Sequence, residues 1–250
     1  MNEELRKNGI WAIIAAILAL GLIISSYIAI GGYVRARSNS SLITVTGSAK
    51  QQIKSDLIVW NGAFSVQAPQ LGDAYAYLQA AQKKVQSYLR AKGIADSDMV
   101  FSAISTTANH VMISDEKGMR ETSQIESYML SQSVEIRSGD VDKITGISRS
   151  ATELINQGVQ FQSNPPQYFY TKLADLKIQM LSLATKDARA RADQIATNAG
   201  SRLGRLRTAK MGVFQITPLY SNDISDYGIN DTSSIDKEIT AVMNCQFEIR

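Results

Sequence analysis

The chain has 250 residues, of which 44% are hydrophobic and 20% charged, with 26 Lys and Arg against 23 Asp and Glu and a formal net charge of +3. Cys245 is the only cysteine and His110 the only histidine, which excludes a disulfide framework within the chain and any metal site built on several imidazoles or thiolates. Past residue 37 the balance is 22 basic to 21 acidic residues, so no field for gathering nucleic acid exists there and no nucleic-acid partner is expected.

Residues 8–34 carry no charge, and Ile10 to Ile30 is an almost unbroken run of Ile, Ala, Leu and Gly. Coiled as a helix, such a run covers about 30 Å, the hydrocarbon thickness of a bilayer. Trp11 and Tyr33 stand at its two ends, where amphipathic rings favour the headgroup layer. A cleaved signal peptide competes with this reading, because Ala29 and Gly31 are small residues spaced as a peptidase requires, but its apolar core runs to only about 7–15 residues. The sequence therefore predicts a cytoplasmic tail over 1–9, a retained signal anchor over 10–34 with its single span at 10–30, a polar linker over 35–41 and one domain over 42–250. The basic flanks, Arg6 and Lys7 against Arg35 and Arg37, nearly tie. The short basic tail then decides, placing the domain on the extracytoplasmic side of the cytoplasmic membrane.

Beyond the linker, period-2 and period-3.6 segments alternate. Ile43 and Val45 mark a strand over Leu42 to Gly47, and Ile58, Trp60, Gly62, Phe64 and Val66 mark a second. Leu71, Ala74, Tyr75, Leu78, Ala81, Val85 and Leu89 form a helical stripe that stops at Gly93, with Ile94 as the apolar contact of a left-handed cap. A strand over Met99 to Ile113 turns at Asp115-Glu116-Lys117-Gly118 and returns over Gln124 to Arg137, a long hairpin. Asp140 caps a helix carrying Val141, Ile144, Ile147, Ala151, Leu154 and Ile155 that stops at Gly158, and Val159 to Gln162 re-enters a strand.

This order of strand, helix, strand, strand, helix, strand is that of a split βαβ, ferredoxin-like core, so the fold class is α+β with an antiparallel sheet. Asn164-Pro165-Pro166 then breaks the chain before a longer helix, Thr171 to Ala199. Leu173, Leu176, Met180, Leu183 and Ile195 are its predicted inward residues, and Ala184, Ala188, Ala192 and Ala196 make a smooth ridge. Leu206 to Ile216 reads as a strand and Thr217 to Lys237 as a long loop. In the closing strand Ile239, Ala241, Met243, Cys245, Phe247 and Ile249 share one face.

The domain resembles the SIMPL-domain proteins of bacterial envelopes, which include periplasmic immunogenic proteins and an oxidative-stress defence protein. The resemblance rests on Ile43-Thr44-Val45-Thr46-Gly47, Asp56, Lys92-Gly93-Ile94 with Asp98, the run Asp187-Ala188-Arg189-Ala190-Arg191-Ala192 with Gly200 and Gly204, and the closing strand. It departs from the family at Ser55, where a proline is common. The resemblance implies an extracytoplasmic α/β sandwich-like domain, assembly of some members into rings or hollow barrels, and a link to envelope or oxidative-stress tolerance. It brings no catalytic residues.

Chemistry is sparse on the sequence itself. His110 lacks an orienting partner; Cys245 falls on the apolar face of its strand, as a small buried hydrophobe does; and Asp223, Asp226, Asp231 and Asp236 do not follow EF-hand spacing. Asp187, Arg189, Arg191 and Asp193 read as a solvated or subunit-facing helix stripe. No catalytic residue, metal ligand or cofactor is predicted. The expected function is non-enzymatic, a membrane-anchored envelope protein that forms homo-oligomers. One alternative is a tethered module presenting the 217–237 loop to an envelope protein partner. A second is a stress-defence enzyme acting on a small molecule, dependent on His110 or Cys245.

Overall fold

The computed structural model describes residues 17–30, 41–115 and 118–250. The chain divides into a larger unit, residues 48–185 and 211–242, and a smaller one, residues 1–47, 186–210 and 243–250.

In the larger unit, alternation of apolar and polar residues produces β2 (Leu57–Ala68), which buries Ile58, Trp60 and Phe64 completely or nearly so. It lies at the centre of a sheet whose order is β3 (Met99–Phe101), β5 (Gly118–Ser138), β2, β6 (Gln160–Ser163). Every pairing in this sheet is antiparallel, including β4 (Ser105–Asp115) on β5 and β7 (Gln167–Phe169) on β2. β5 sits between the two strands joined through α2 (Leu71–Ala91), and β2 between the two joined through α3 (Val141–Ser150). That interleaving is the expected split βαβ core. Both helices bury their stripes in one cluster with Trp60, Phe64, Leu130, Val134 and Ile136.

The punctuation of these helices is as the sequence implies. Gly93 ends α2 at φ +79°, and the Ile94 amide donates to Leu89 O at 3.0 Å while its side chain is buried. Asp140 Oδ1 accepts from the Lys143 amide at 3.1 Å, capping α3. That helix stops earlier than predicted: after Ser150 the chain tightens into a 3-10 helix over Ala151–Gln157, ended by Gly158 at φ +76°. Ile155 is consequently 55% exposed rather than inward.

Two predicted strands are each two. Met99 to Ile113 breaks after Phe101, where the Ser102 amide donates to Ser133 O and the Ser102 hydroxyl accepts from the Ser133 amide, so local serine bonds replace the ladder. Leu206 to Ile216 is instead β8 (Leu203–Met211) and β9 (Gln215–Pro218), parted where the Gly212 amide turns to Val242 O. Other boundaries lengthen: β1 runs Ser41–Lys54 and β11 runs Asp236–Ile249. β7 has no counterpart in the sequence reading, since three residues after two prolines show no period.

The long helix is α4 (Leu173–Asn198). Leu176 and Met180 are buried as predicted, but Leu183 and Ile195 are 40% and 51% exposed. The buried line continues instead in steps of four through Ala184, Ala188, Ala192 and Ala196, all at 0%. Strands β1, β11, β9 and β10 (Ile229–Asn230) follow in that order in the second sheet, with β8 also paired to β11. Val45, Met243, Cys245 and Phe247 are buried in the smaller unit. Gly204 is required there, because a Cβ at that position would lie 2.7 Å from Glu248 Cβ.

Of the predicted span, only residues 17–30 are described. They form a helix, here α1, exposed at every position. Fourteen residues rise about 21 Å, and among the described residues no helix is long and apolar enough to cross a membrane. The rest of the predicted anchor, the tail over 1–9 and nearly all of the linker lie outside the described residues.

Candidate functional site

The predicted 217–237 loop is the site with most structure around it. It leaves β9, carries the two-residue β10, which pairs parallel with β9, and re-enters through β11. Its base is fixed by Lys237, which is only 2% exposed. Lys237 Nζ donates to Tyr168 O at 2.9 Å and to Asp231 O, and lies 3.7 Å from Asp231 Oδ2. Asp231 Oδ1 accepts from the Ser233 amide and hydroxyl at 2.8 and 2.6 Å, while Oδ2 is buried with no hydrogen-bond donor among the described residues. Burial lowers the Lys237 pKa, opposed by Asp231. Burial also pushes the Asp231 carboxyl upward, yet the Ser233 hydrogen bonds and the Lys237 charge outweigh it and hold the carboxyl below its ordinary range. The arrangement ties the loop to β7 through backbone carbonyls rather than offering a reactive group.

Further bonds continue the same seam. The Tyr168 amide donates to Thr232 O at 2.8 Å, Asp231 N to Ile216 O at 2.9 Å and Ser55 N to Ile235 O at 2.9 Å. Asp56 accepts from both the amide and the hydroxyl of Thr171, at 2.7 and 2.9 Å, just ahead of α4. This gives Asp56, between β1 and β2, a positioning role in the chain's own backbone.

Above the base, the loop borders an open cleft of about 400 Å³ lined by Lys50, Gln215, Thr217, Glu238 and Thr240 on the strands and by Ser221 to Asp226 on the loop. Lys50 and Glu238 pair across it at 2.7 Å. Gln215 Nε2 donates to Ser225 O at 2.6 Å, holding the loop to β9. Gly228 sits at φ +85°, where a Cβ would meet Phe214 O at 2.8 Å, so only glycine fits the return turn. The loop tips are Tyr220, Ile224 and Tyr227, at 88%, 85% and 98% exposed.

The remaining candidates stand apart from any site. His110 Nδ1 lies 2.9 Å from Thr122 O in the β4–β5 hairpin. Cys245 is fully buried and burial pushes its thiol pKa up, which keeps it protonated and inert. Arg191 pairs with Asp187 at 2.8 Å along the exposed side of α4. Asp223 is held by Ser221, and Asp231 by Ser233 and Lys237, so these two loop acids are occupied locally. Among the described residues no three His, Cys, Asp or Glu side chains converge. Sequence reading missed Lys237, placing it at the end of a solvated loop. Its position in step with Ile239 and Ala241 was the available signal.

Comparison with known proteins adds a family. Among solved structures, an amidase of the hydantoinase/carbamoylase family from Burkholderia phymatum is similar at 10% identity over 50% of this chain and 32% of that chain, with a TM-score of 0.27; so low a score supports no inference. No curated protein matches the chain. The family model of SIMPL, described as a protein of unknown function (DUF541), matches residues 43–247, and the chain belongs to that family.

Proposed function

We propose that this chain is a non-enzymatic, membrane-tethered envelope protein whose SIMPL domain assembles with further copies into a ring or barrel-like oligomer outside the cytoplasmic membrane. One observation carries the assembly: the β4–β5 hairpin outruns its sheet. β2 pairs with β5 only as far as Ala68 opposite Tyr128, whereas β4 stays paired to β5 out to Asp115 opposite Gly118. β4 from Asn109 and β5 up to Ser127 thus form a two-stranded ribbon whose outer edges pair with no other strand among the described residues, an arrangement marginal in water on its own and a template for strand pairing. Met112 and Ile125 on this ribbon are 53% and 42% exposed. A strand or hairpin from a second copy would cover both.

The tether is supported by α1, uncharged, mostly aliphatic and exposed at all its described positions, with Leu22, Ile23 and Ile28 at 69%, 67% and 68%. Rows of uncovered aliphatics need lipid or protein around them. Tethering confines copies to a plane, raising their effective concentration and favouring closed rings. Light scattering coupled to size exclusion on the full-length chain in mild detergent tests the proposal. A discrete large oligomer is expected; a monomer at micromolar concentration refutes it.

A second reading, a tethered module that presents the 217–237 loop to an envelope partner, draws on the exposure of Tyr220, Ile224 and Tyr227. Deleting Asn222 to Tyr227 would then abolish capture of a partner without changing oligomer mass. Capture that survives the deletion rejects this reading.

A further inference from the structure

Charge is segregated along the chain. Residues 186–210 of the smaller unit carry seven Lys and Arg against two Asp, while residues 48–185 and 211–242 carry 14 basic against 18 acidic residues. Four of the smaller unit's arginines gather at one end of its sheet. Arg202 and Arg250 exchange backbone hydrogen bonds at 2.7 and 2.9 Å, so β8 begins where β11 ends. Gln246 Nε2 donates to Thr44 Oγ1 at 3.2 Å, while Lys50 meets Glu238, so β1 runs antiparallel to β11 and also begins at that end. Ser41, where the chain arrives from α1, therefore shares one end of the sheet with Arg202, Arg205, Arg207 and Arg250.

These side chains are open to solvent. Arg207 and Arg250 are 60% and 68% exposed and lean on Glu248, itself buried. Arg202 and Arg205 are exposed and make no ion pair among the described residues. β8 adds a second feature: among the described residues it pairs only with β11, leaving its outer edge of backbone amides open, and from Arg205 to Met211 it is exposed on both faces. Leu206 and Met211 stand among the cations at 44% and 59% exposed. Guanidinium forks and free amides fit phosphate oxygens, and interspersed aliphatics suit the headgroup boundary.

We infer that this arginine end of the smaller unit docks onto an anionic phospholipid surface. The inference rests on the tethered reading above, which brings the same end to the bilayer. Only ten residues, 31–40, separate the described helix from Ser41, a reach of at most about 35 Å. Docking through Arg202 and Arg205 would fix the domain's orientation on the membrane rather than leave it swinging on its linker, and it would depend on lipid charge and weaken with salt.

The experiment uses the full-length chain, with Ser201→Cys carrying a fluorophore and Cys245→Ser, in nanodiscs of phosphatidylcholine alone or with a third phosphatidylglycerol, with energy transfer to a headgroup acceptor. Close approach is expected only with phosphatidylglycerol. The docked-to-undocked ratio should fall about 5-fold for Arg202→Gln or Arg205→Gln and about 25-fold for both. Equal transfer in the two lipids, or no response to the double substitution, overturns the inference. Tighter binding of a single-stranded oligonucleotide than of phosphatidylglycerol discs at equal salt also overturns it, in favour of a nucleic-acid surface. Co-purification with phosphatidylcholine discs reads the tether separately. A chain that enters only phosphatidylglycerol discs loses the tether but keeps the docking surface, and a chain that enters neither loses both.

Discussion

Two parts of the larger unit are held together in opposite ways. The split βαβ core buries Trp60, Phe64, Leu78, Leu130, Val134 and Ile144 against one another, and its only polar bond of note from that set is Trp60 Nε1 to Ser163 Oγ at 3.0 Å. The 217–237 segment buries little that is apolar, and is fixed by Lys237, Asp231, Ser233 and Gln215 through hydrogen bonds to backbone. The first tolerates replacement by shape; the second depends on each polar partner being present. A fold can thus carry a rigid scaffold and a displayed loop in one unit because their stabilities have separate sources.

The sharpest break comes from the core. Trp60→Ala leaves a cavity at the centre of β2 and is expected to cost about 4 kcal/mol, read by chemical denaturation. Lys237→Ala strands a buried carboxylate and two carbonyls, for a loss of about 3 kcal/mol. Lys237→Met keeps the stem and is expected to recover roughly half of that, which separates packing from charge. Should Lys237→Met match the native protein, the loop base is hydrophobic after all. Gly228→Ala forces a side chain into Phe214 O at a left-handed φ and is expected to cost about 2 kcal/mol.

Acid should separate the two regions without mutation. Asp231 is held below the ordinary carboxylate range, so its stabilising contribution is complete above that range, near pH 4, and is lost as pH falls below it. Amide exchange in residues 219–235 should therefore accelerate below about pH 4 before exchange in β2 or β5 does. Simultaneous acceleration would show one cooperative unit. The smallest effect belongs to the tip: Tyr227→Ser, at a residue 98% exposed, is expected to change stability by less than about 0.5 kcal/mol.

The same contrast explains what could be read in advance. The core's elements announced themselves because each strand has one wet and one dry face, α2 ends at the left-handed Gly93, and the 3-10 turn that follows α3 ends at the left-handed Gly158. Lys237 escaped because a buried lysine is rare, and its partners, Tyr168 O and Asp231, are brought to it only by tertiary folding. The alanine line of α4 was visible, but bulk made Leu183 and Ile195 seem inward when the four-residue step decides the face. The breaks at Ser102 and Gly212 depend on partners across the sheet, Ser133 and Val242, that no local pattern names. The arginine end of the smaller unit is likewise a product of strand order: Arg202, Arg250 and Ser41 are remote in sequence.

The claim that the domain self-assembles through its hairpin is tested most directly by amide exchange along β4 in the full-length chain in detergent. If a second copy pairs with that edge, the outward-facing amides between Thr106 and Met112 exchange slowly at micromolar concentration and fast on dilution. Exchange that is fast at every concentration, with β5 protected beside it, would contradict the assembly.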